Sequence, residues 1–223
     1  MKTARRSTGS DRSLAGLFAG LALLVSMTAP SALAQYEAGK HYDVLQPALR
    51  TADPSRVEVM EFFWYGCVHC YNLETLLTPW KKTLPEEAYV VGSPAVWQKP
   101  MDLHARAFYT AEVLEAGDTL HPAIFQAMHV DGNMLPTEDA IAKLFVAHGV
   151  PRAQFDEVFN SYGVTSQINQ AGARARTAKI TGTPELVVNG KYRVSTRKAG
   201  SQQEMLKIAE FLIEKERAAL KKS

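Results

Sequence analysis

Cys67 and Cys70 are the only cysteines in a chain of 223 residues, and they stand three positions apart in Phe62-Phe63-Trp64-Tyr65-Gly66-Cys67-Val68-His69-Cys70. A pair spaced this way can close into a disulfide and reopen, which is redox chemistry. As a staple it would do little, because the loop it closes is too short to take much entropy from the unfolded chain. Thiol–disulfide exchange runs through a thiolate, so the pKa values of the attacked and leaving sulfurs govern it. A helical pattern begins directly after Gly66, which places Cys67 at a helix start, where unpaired N–H groups and the helix dipole favour S⁻. Cys67 is therefore expected to be the exchange-active sulfur and Cys70, one turn further in, the resolving one. His69 lies between them, and an imidazole there can donate to a thiolate and, when protonated, add a favourable charge. Stabilising the thiolate stabilises the reduced pair, which makes the disulfide the stronger oxidant.

Blander uses of the same residues are weighed against this one. A structural zinc site needs four ligands, and the chain has neither a second cysteine pair nor suitably spaced histidines. An inert surface disulfide would have no need of the buried strand that precedes it. A loop histidine is ordinarily solvated and idle, and only the position of His69 between two cysteines argues for tuning. The exchange leaves its electrons on the cysteines, so neither a metal nor an organic cofactor is expected.

The elements that must position the pair can be read from periodicity. Residues 56–65 form a nearly continuous apolar run rich in β-branched and aromatic side chains, which predicts a strand buried on both faces. Gly66 supplies a turn, and Leu73, Leu76, Leu77 and Trp80 then fall at helical spacing, with Pro79 expected to kink or end the helix. Residues 88–97 read as a second strand, weakened at its far end by Pro94, which completes a βαβ pattern.

A purely helical stretch follows. One helix is expected over 102–116, a second from a Thr137 cap to Gly149, and a third opened by Pro151 and running to Gly163. An alanine-rich helix from a Thr165 cap through Lys179 leads to the turn Thr181-Gly182-Thr183-Pro184. Strands at 185–188 and 191–194 are joined by Asn189-Gly190, a tight hairpin signal, and an amphipathic helix with Met205, Ile208, Ala209 and Leu212 on one face closes the chain. The sheet thus resumes after a helical insertion.

Residues 1–34 read as an export signal. Lys2, Arg5, Arg6 and Arg12 precede an apolar core at 14–25, and Ala32-Leu33-Ala34 fits a small-residue cleavage site before Gln35. Arg5-Arg6 is followed by Ser7-Thr8-Gly9 rather than apolar residues, which favours general secretion over a twin-arginine route. Without Lys2, Arg5, Arg6, Arg12 and Asp11, the 25 basic and 23 acidic residues become 21 against 22, so the net positive charge belongs to the signal. No basic footprint for nucleic acid remains. No association motif stands out, and a monomer is expected.

The residues now quoted resemble the DsbA family of thiol:disulfide interchange proteins of the bacterial periplasm. The resemblance rests on Glu61-Phe62-Phe63, Cys67-Val68-His69-Cys70-Tyr71, Gly182-Thr183-Pro184 and Val188-Asn189-Gly190-Lys191-Tyr192. It implies an α/β, thioredoxin-like fold over 35–98 and 166–223, with a helical insertion domain at 99–165. It implies an enzyme that oxidises reduced, unfolded exported polypeptides in the periplasm and is itself reoxidised by a quinone-linked membrane oxidase of the DsbB type. By the same resemblance Pro184 is cis and packs against the redox pair, Thr183 pairs through its backbone with a bound peptide, and Glu61 matches a buried acid that relays protons to Cys70, with an ordinary strand-edge carboxylate as the alternative. The family commonly has Pro-His between its cysteines, where this chain has Val68-His69. That difference restores one N–H near the sulfur and bears on the strength of the oxidant. A reductase or isomerase of the same fold, and a peptide-binding chaperone without redox activity, are the alternatives. Of the other marked residues, His104 is read as a core or rim histidine. Trp64, Tyr65 and Tyr71 are read as either an apolar platform or core, and Arg174, Arg176 and Lys179 as a solvated helix face.

Overall fold

The structure is a computed structural model that describes residues 36–221; the signal reading of 1–34 and its cleavage before Gln35 lie outside the described residues. The strands are β1 (Asp43–Val44), β2 (Val57–Phe63), β3 (Ala88–Pro94), β4 (Glu185–Val188) and β5 (Tyr192–Ser195). The helices are α1 (Val68–Lys81), α2 (Lys99–Val113), α3 (Gly117–His129), α4 (Glu138–Ala147), α5 (Arg152–Phe159), α6 (Tyr162–Thr177), α7 (Thr196–Ala199) and α8 (Gln202–Leu220).

One sheet has the order β1-β5-β4-β2-β3. β2 runs parallel to β3 across the α1 crossover and antiparallel to β4, so it lies inside the sheet with every residue buried. Its alternate residues serve different layers. Val57 and Val59 pack with Leu73 and Leu77 of α1 and with Met205, Ile208 and Leu212 of α8, while Met60 and Phe62 meet Ala175, Ala178 and Ile180 at the end of α6. Phe63 belongs to a third cluster, built mainly from the helices between β3 and β4. A strand enclosed in this way has no polar face, which is why the sequence there is almost continuously apolar.

β2 stops two residues short of the expected Tyr65, because its partner β3 ends at Pro94, opposite Phe63. Ala95 N–H closes the pair on the Phe63 carbonyl at 2.7 Å, and Trp64 and Tyr65 turn out of the sheet toward Cys67. For the same reason β3 does not reach Trp97. The hairpin has Asn189 at φ 48° and Gly190 at φ 66°, and a β-carbon at Gly190 would collide with the Leu49 carbonyl.

The helical stretch departs from the sequence reading in three places. α2 starts earlier and ends at Val113, followed by Glu115 at φ 53°. α3 was not expected at all: Gly117 opens it and Pro122 lies inside it, and both are helix-unfavourable signals that packing overrides. The expected helix to Gly163 ends at Phe159, and α6 is capped by Ser161, whose hydroxyl accepts from Val164 N–H at 3.2 Å. Thr165 is not the cap; its hydroxyl donates to the Ser161 carbonyl at 3.0 Å. The expected domain boundary at 165/166 therefore falls inside α6. β1 was also unforeseen, being two residues long and held by its pairing with β5.

Candidate active site

Cys67 is the N-cap of α1, with extended backbone (φ −89°, ψ 112°), and its carbonyl accepts from the N–H groups of Cys70 (3.0 Å) and Tyr71 (3.1 Å). Its thiol is drawn down to about 5, first by a hydrogen bond from the Cys70 thiol and further by the Thr183 hydroxyl and the backbone N–H groups of Cys70 and His69; partial burial works the other way. The Thr183 carbonyl lies 3.4 Å from the Cys67 Sγ and accepts from the protonated thiol. That contact favours S–H, but it is a single acceptor against several donors, and the balance stays with the thiolate. Cys70 is fully buried, and its thiol is pushed far up by burial, by its hydrogen bond to Cys67 and by the charges of Glu61 and Cys67. Both cysteines are free thiols here.

The other expected residues divide into two groups. Thr183 and Pro184 come from the loop before β4, and the Thr183–Pro184 peptide is cis. Glu61, on β2, is 2% exposed, with its carboxyl pushed up to about 8 by burial and by the nearby charge of Glu74. Val68 and His69 are exposed on the first turn of α1. Among the described residues the His69 ring makes no hydrogen bond to either sulfur. What His69 does provide is backbone: its N–H supports the Cys67 thiolate and its carbonyl accepts from Gln202 Nε2 at 2.5 Å.

Tyr65 is core rather than platform. It is buried, its ring packs edge-on to Phe63 and Phe125, and its hydroxyl lies 2.8 Å from His121 Nδ1. Tyr71 stacks on His129 at 4.8 Å, and His129 Nε2 donates to the Tyr65 carbonyl at 2.7 Å. His104 is 3% exposed and accepts from Trp64 Nε1 at 3.0 Å, so it braces the turn before Cys67. Arg174 is not on a solvated face. It donates to the Tyr109 hydroxyl at 2.9 Å, tying α6 to α2.

Several residues around the pair escaped the sequence reading. Glu74 is one turn beyond Cys70 on α1, a spacing that could have marked it. His121 and His129 come from the unexpected α3, and nothing local connects them to Cys70. Among the described residues no group of three or more His, Cys, Asp or Glu side chains is placed to hold a metal ion.

A βαβ unit continued by an antiparallel hairpin, with a low-pKa cysteine at the helix start beside a cis-proline loop, defines a thiol:disulfide oxidoreductase of thioredoxin-like fold. The comparisons with known proteins agree. The family model described as a DSBA-like thioredoxin domain matches residues 93–207. The thiol:disulfide interchange protein DsbA of Pseudomonas aeruginosa is 38% identical over 84% of this chain and 89% of its own length. That of Azotobacter vinelandii is 36% identical over 92% and 97%. The crystal structure of Pseudomonas aeruginosa DsbA superposes with a TM-score of 0.79, covering 84% of this chain and 98% of that one. The chain belongs to the DsbA family of thiol:disulfide interchange proteins.

Proposed function

We propose that this chain introduces disulfide bonds into exported proteins by exchange through Cys67 and Cys70. The observation that carries the proposal is the opposed setting of the two sulfurs, one drawn down to about 5 and the other pushed far up. A substrate thiolate attacks Cys67 of the oxidised pair, and the Cys67–Cys70 bond breaks as the new S–S bond forms. The Cys70 sulfur leaves as an anion in a site hostile to charge and takes a proton, for which Glu61 is the donor. A second substrate thiolate then attacks the substrate sulfur of the mixed disulfide and expels Cys67, whose low pKa makes it a good leaving group. Two electrons have passed from the substrate to the pair, and the exchange itself calls for no metal or organic cofactor.

Thr183 presents its backbone beside Cys67 to an extended substrate segment, Pro184 shapes that loop, and Val68 and His69 form the rim over which the substrate passes. The reading places the protein in the periplasm as a monomer, exported by the signal at 1–34 and reoxidised by a quinone-linked membrane oxidase of the DsbB type. Its substrates are reduced, unfolded polypeptides and not nucleic acid. It also treats 35–98 and 166–223 as one domain interrupted by helices α2–α5, with the second boundary moved from 165 to the Ser161 cap.

Equilibration with glutathione tests the direction of electron flow. Thioredoxin lies near about −270 mV and DsbA-type oxidants near about −120 mV, reference values for the two classes rather than quantities taken from this chain. A measured potential close to the oxidising value is expected. One close to that of thioredoxin would make the protein a reductase.

A further inference from the structure

Residues of β2, β3 and α1–α3, with Gln167 of α6, line a cavity of about 540 Å³ whose ionisable lining is Glu61, Glu74, Lys81, Glu112, Asp118 and His121, together with the Tyr109 phenol. Glu61 Oε1 is buried there without a hydrogen-bond partner. Glu61 and Glu74 line this cavity together, and the charge of Glu74 bears on the Glu61 carboxyl. Two carboxylates enclosed in one poorly solvated cavity repel each other, which favours keeping one proton between the pair.

What surrounds the pair decides where that proton sits. Lys81 acts on both carboxyls. His121 is different: its Nε2 lies 3.2 Å from Glu74 Oε1, while its Nδ1 is 2.8 Å from the Tyr65 hydroxyl. The Phe63, Phe108 and Phe125 rings meet it edge-on and fix its plane. Glu74 Oε2 is occupied by the Thr78 hydroxyl at 3.2 Å. Glu112 and Asp118 are the remaining charges near His121, and Cys67 and Cys70 those near Glu61.

We propose that His121 is a positioning residue for the exchange reaction: by pairing with Glu74 it keeps the shared proton on Glu61, the carboxyl coupled to Cys70. This rests on the reading of Glu61 as the proton donor to the leaving sulfur. As the Cys67–Cys70 bond breaks, the Cys70 sulfur departs with the bonding pair and takes the Glu61 proton. Glu61 regains a proton from solvent reaching the cavity, and Glu74 remains a carboxylate throughout. The opposed carboxyl settings agree with the geometry. Burial raises both, but His121, Lys81 and Thr78 bring Glu74 below the ordinary range, and Glu61 has no comparable partner.

The test is carbon-13 NMR of the full chain, reduced and labelled at glutamate side-chain carboxyls, with Glu61→Gln and Glu74→Gln assigning the two signals. In the unsubstituted protein at neutral pH, Glu61 is expected at the acid position and Glu74 at the carboxylate position. His121→Gln should move Glu74 toward the acid position. The oxidation rate of a dithiol peptide at saturation should then fall by at least about twofold, the loss when two carboxyls share one proton evenly, with KM unchanged. His121→Lys, which again offers Glu74 an N–H donor, should return both readouts. An unmoved Glu74 signal in His121→Gln would overturn the proposal, and a rate loss without that movement would make His121 a packing contact. A Glu61 signal at the carboxylate position in the unsubstituted protein would instead overturn the donor reading beneath it.

Discussion

At the mouth of the site, Cys67 meets helix N–H groups, the Thr183–Pro184 loop and the exposed rim of Val68 and His69. On the floor, Cys70 meets the interior: the charge of Glu61 and the aromatic cluster around Phe125. The two sulfurs are one helical turn apart, yet one is held as a thiolate and the other as a thiol. The difference shows that α1 contributes polarity at its end and apolar enclosure one turn later. The helix start alone would lower a thiol, but the packing of α3 against α1 creates the floor that raises its neighbour.

The sharpest way to break the comparison is to remove each sulfur in turn. Cys67→Ser should abolish dithiol oxidation, while Cys70→Ser, first converted to its Cys67–glutathione mixed disulfide, should exchange glutathione for a peptide carrying a single thiol and keep that peptide on Cys67, visible as a mass shift. Residual turnover in Cys67→Ser would reverse the assignment of mouth and floor. Next in size is the packing of the floor. Phe125 is 2% exposed and touches the Phe63, Tyr65 and His121 rings. Phe125→Ala should cost about 3–5 kcal/mol in denaturant unfolding of the reduced protein, whereas Val68→Ala at the mouth, where the side chain is 52% exposed, should change it by less than about 0.5 kcal/mol.

A pH series sharpens the same contrast. The Cys67 thiol lies at about 5 in the folded protein, against about 8.5 in an unfolded chain. A lowered folded value adds stability that is complete above the unfolded pKa, shrinks as pH falls, and is gone below the folded one. Only the reduced protein has this thiolate, so the thiolate's contribution to the reduced-minus-oxidised stability difference should shrink steadily from about pH 8.5 and be gone below about pH 5. Glu61, raised to about 8 mainly by burial, has the opposite sign and is present in both redox forms, and Cys70 stays protonated whether folded or unfolded below about pH 8.5, so between about pH 5 and 8.5 the pH dependence of the difference follows Cys67. Thermal unfolding of both forms across that range checks it, and a constant difference would refute the mouth assignment.

The smallest effect concerns the residue that departs from the family's usual Pro-His. Val68 is the first residue of α1, where proline is tolerated. The backbone donors that hold the Cys67 sulfur are the N–H groups of His69 and Cys70. Val68→Pro should therefore move the thiolate titration, followed by its ultraviolet absorbance, by less than about half a unit.

Local pattern made much of the scaffold legible. The apolar run before Cys67 is β2 because its enclosure leaves no polar face, and Asn189-Gly190 is a turn because both residues adopt positive φ. α3 was hidden because Pro122 and Gly117 argue locally against a helix, and the contacts that stabilise it come from α1 and α2. The Thr165 cap was misplaced because Ser161 offers the same chemistry four residues earlier and is where the chain turns.

By itself the sequence determined the reacting pair, its place at a strand-to-helix junction and the family, since these depend on residue type and short spacing. Only the tertiary structure decided how far apart the two sulfurs lie in acidity and which buried carboxyl stands near Cys70. Those properties arise from burial and from groups such as Thr183 and Glu61, which reach one cysteine pair from a loop and from a strand. Charge is stabilised or penalised by what surrounds it in space, and no pattern along the chain carries that information.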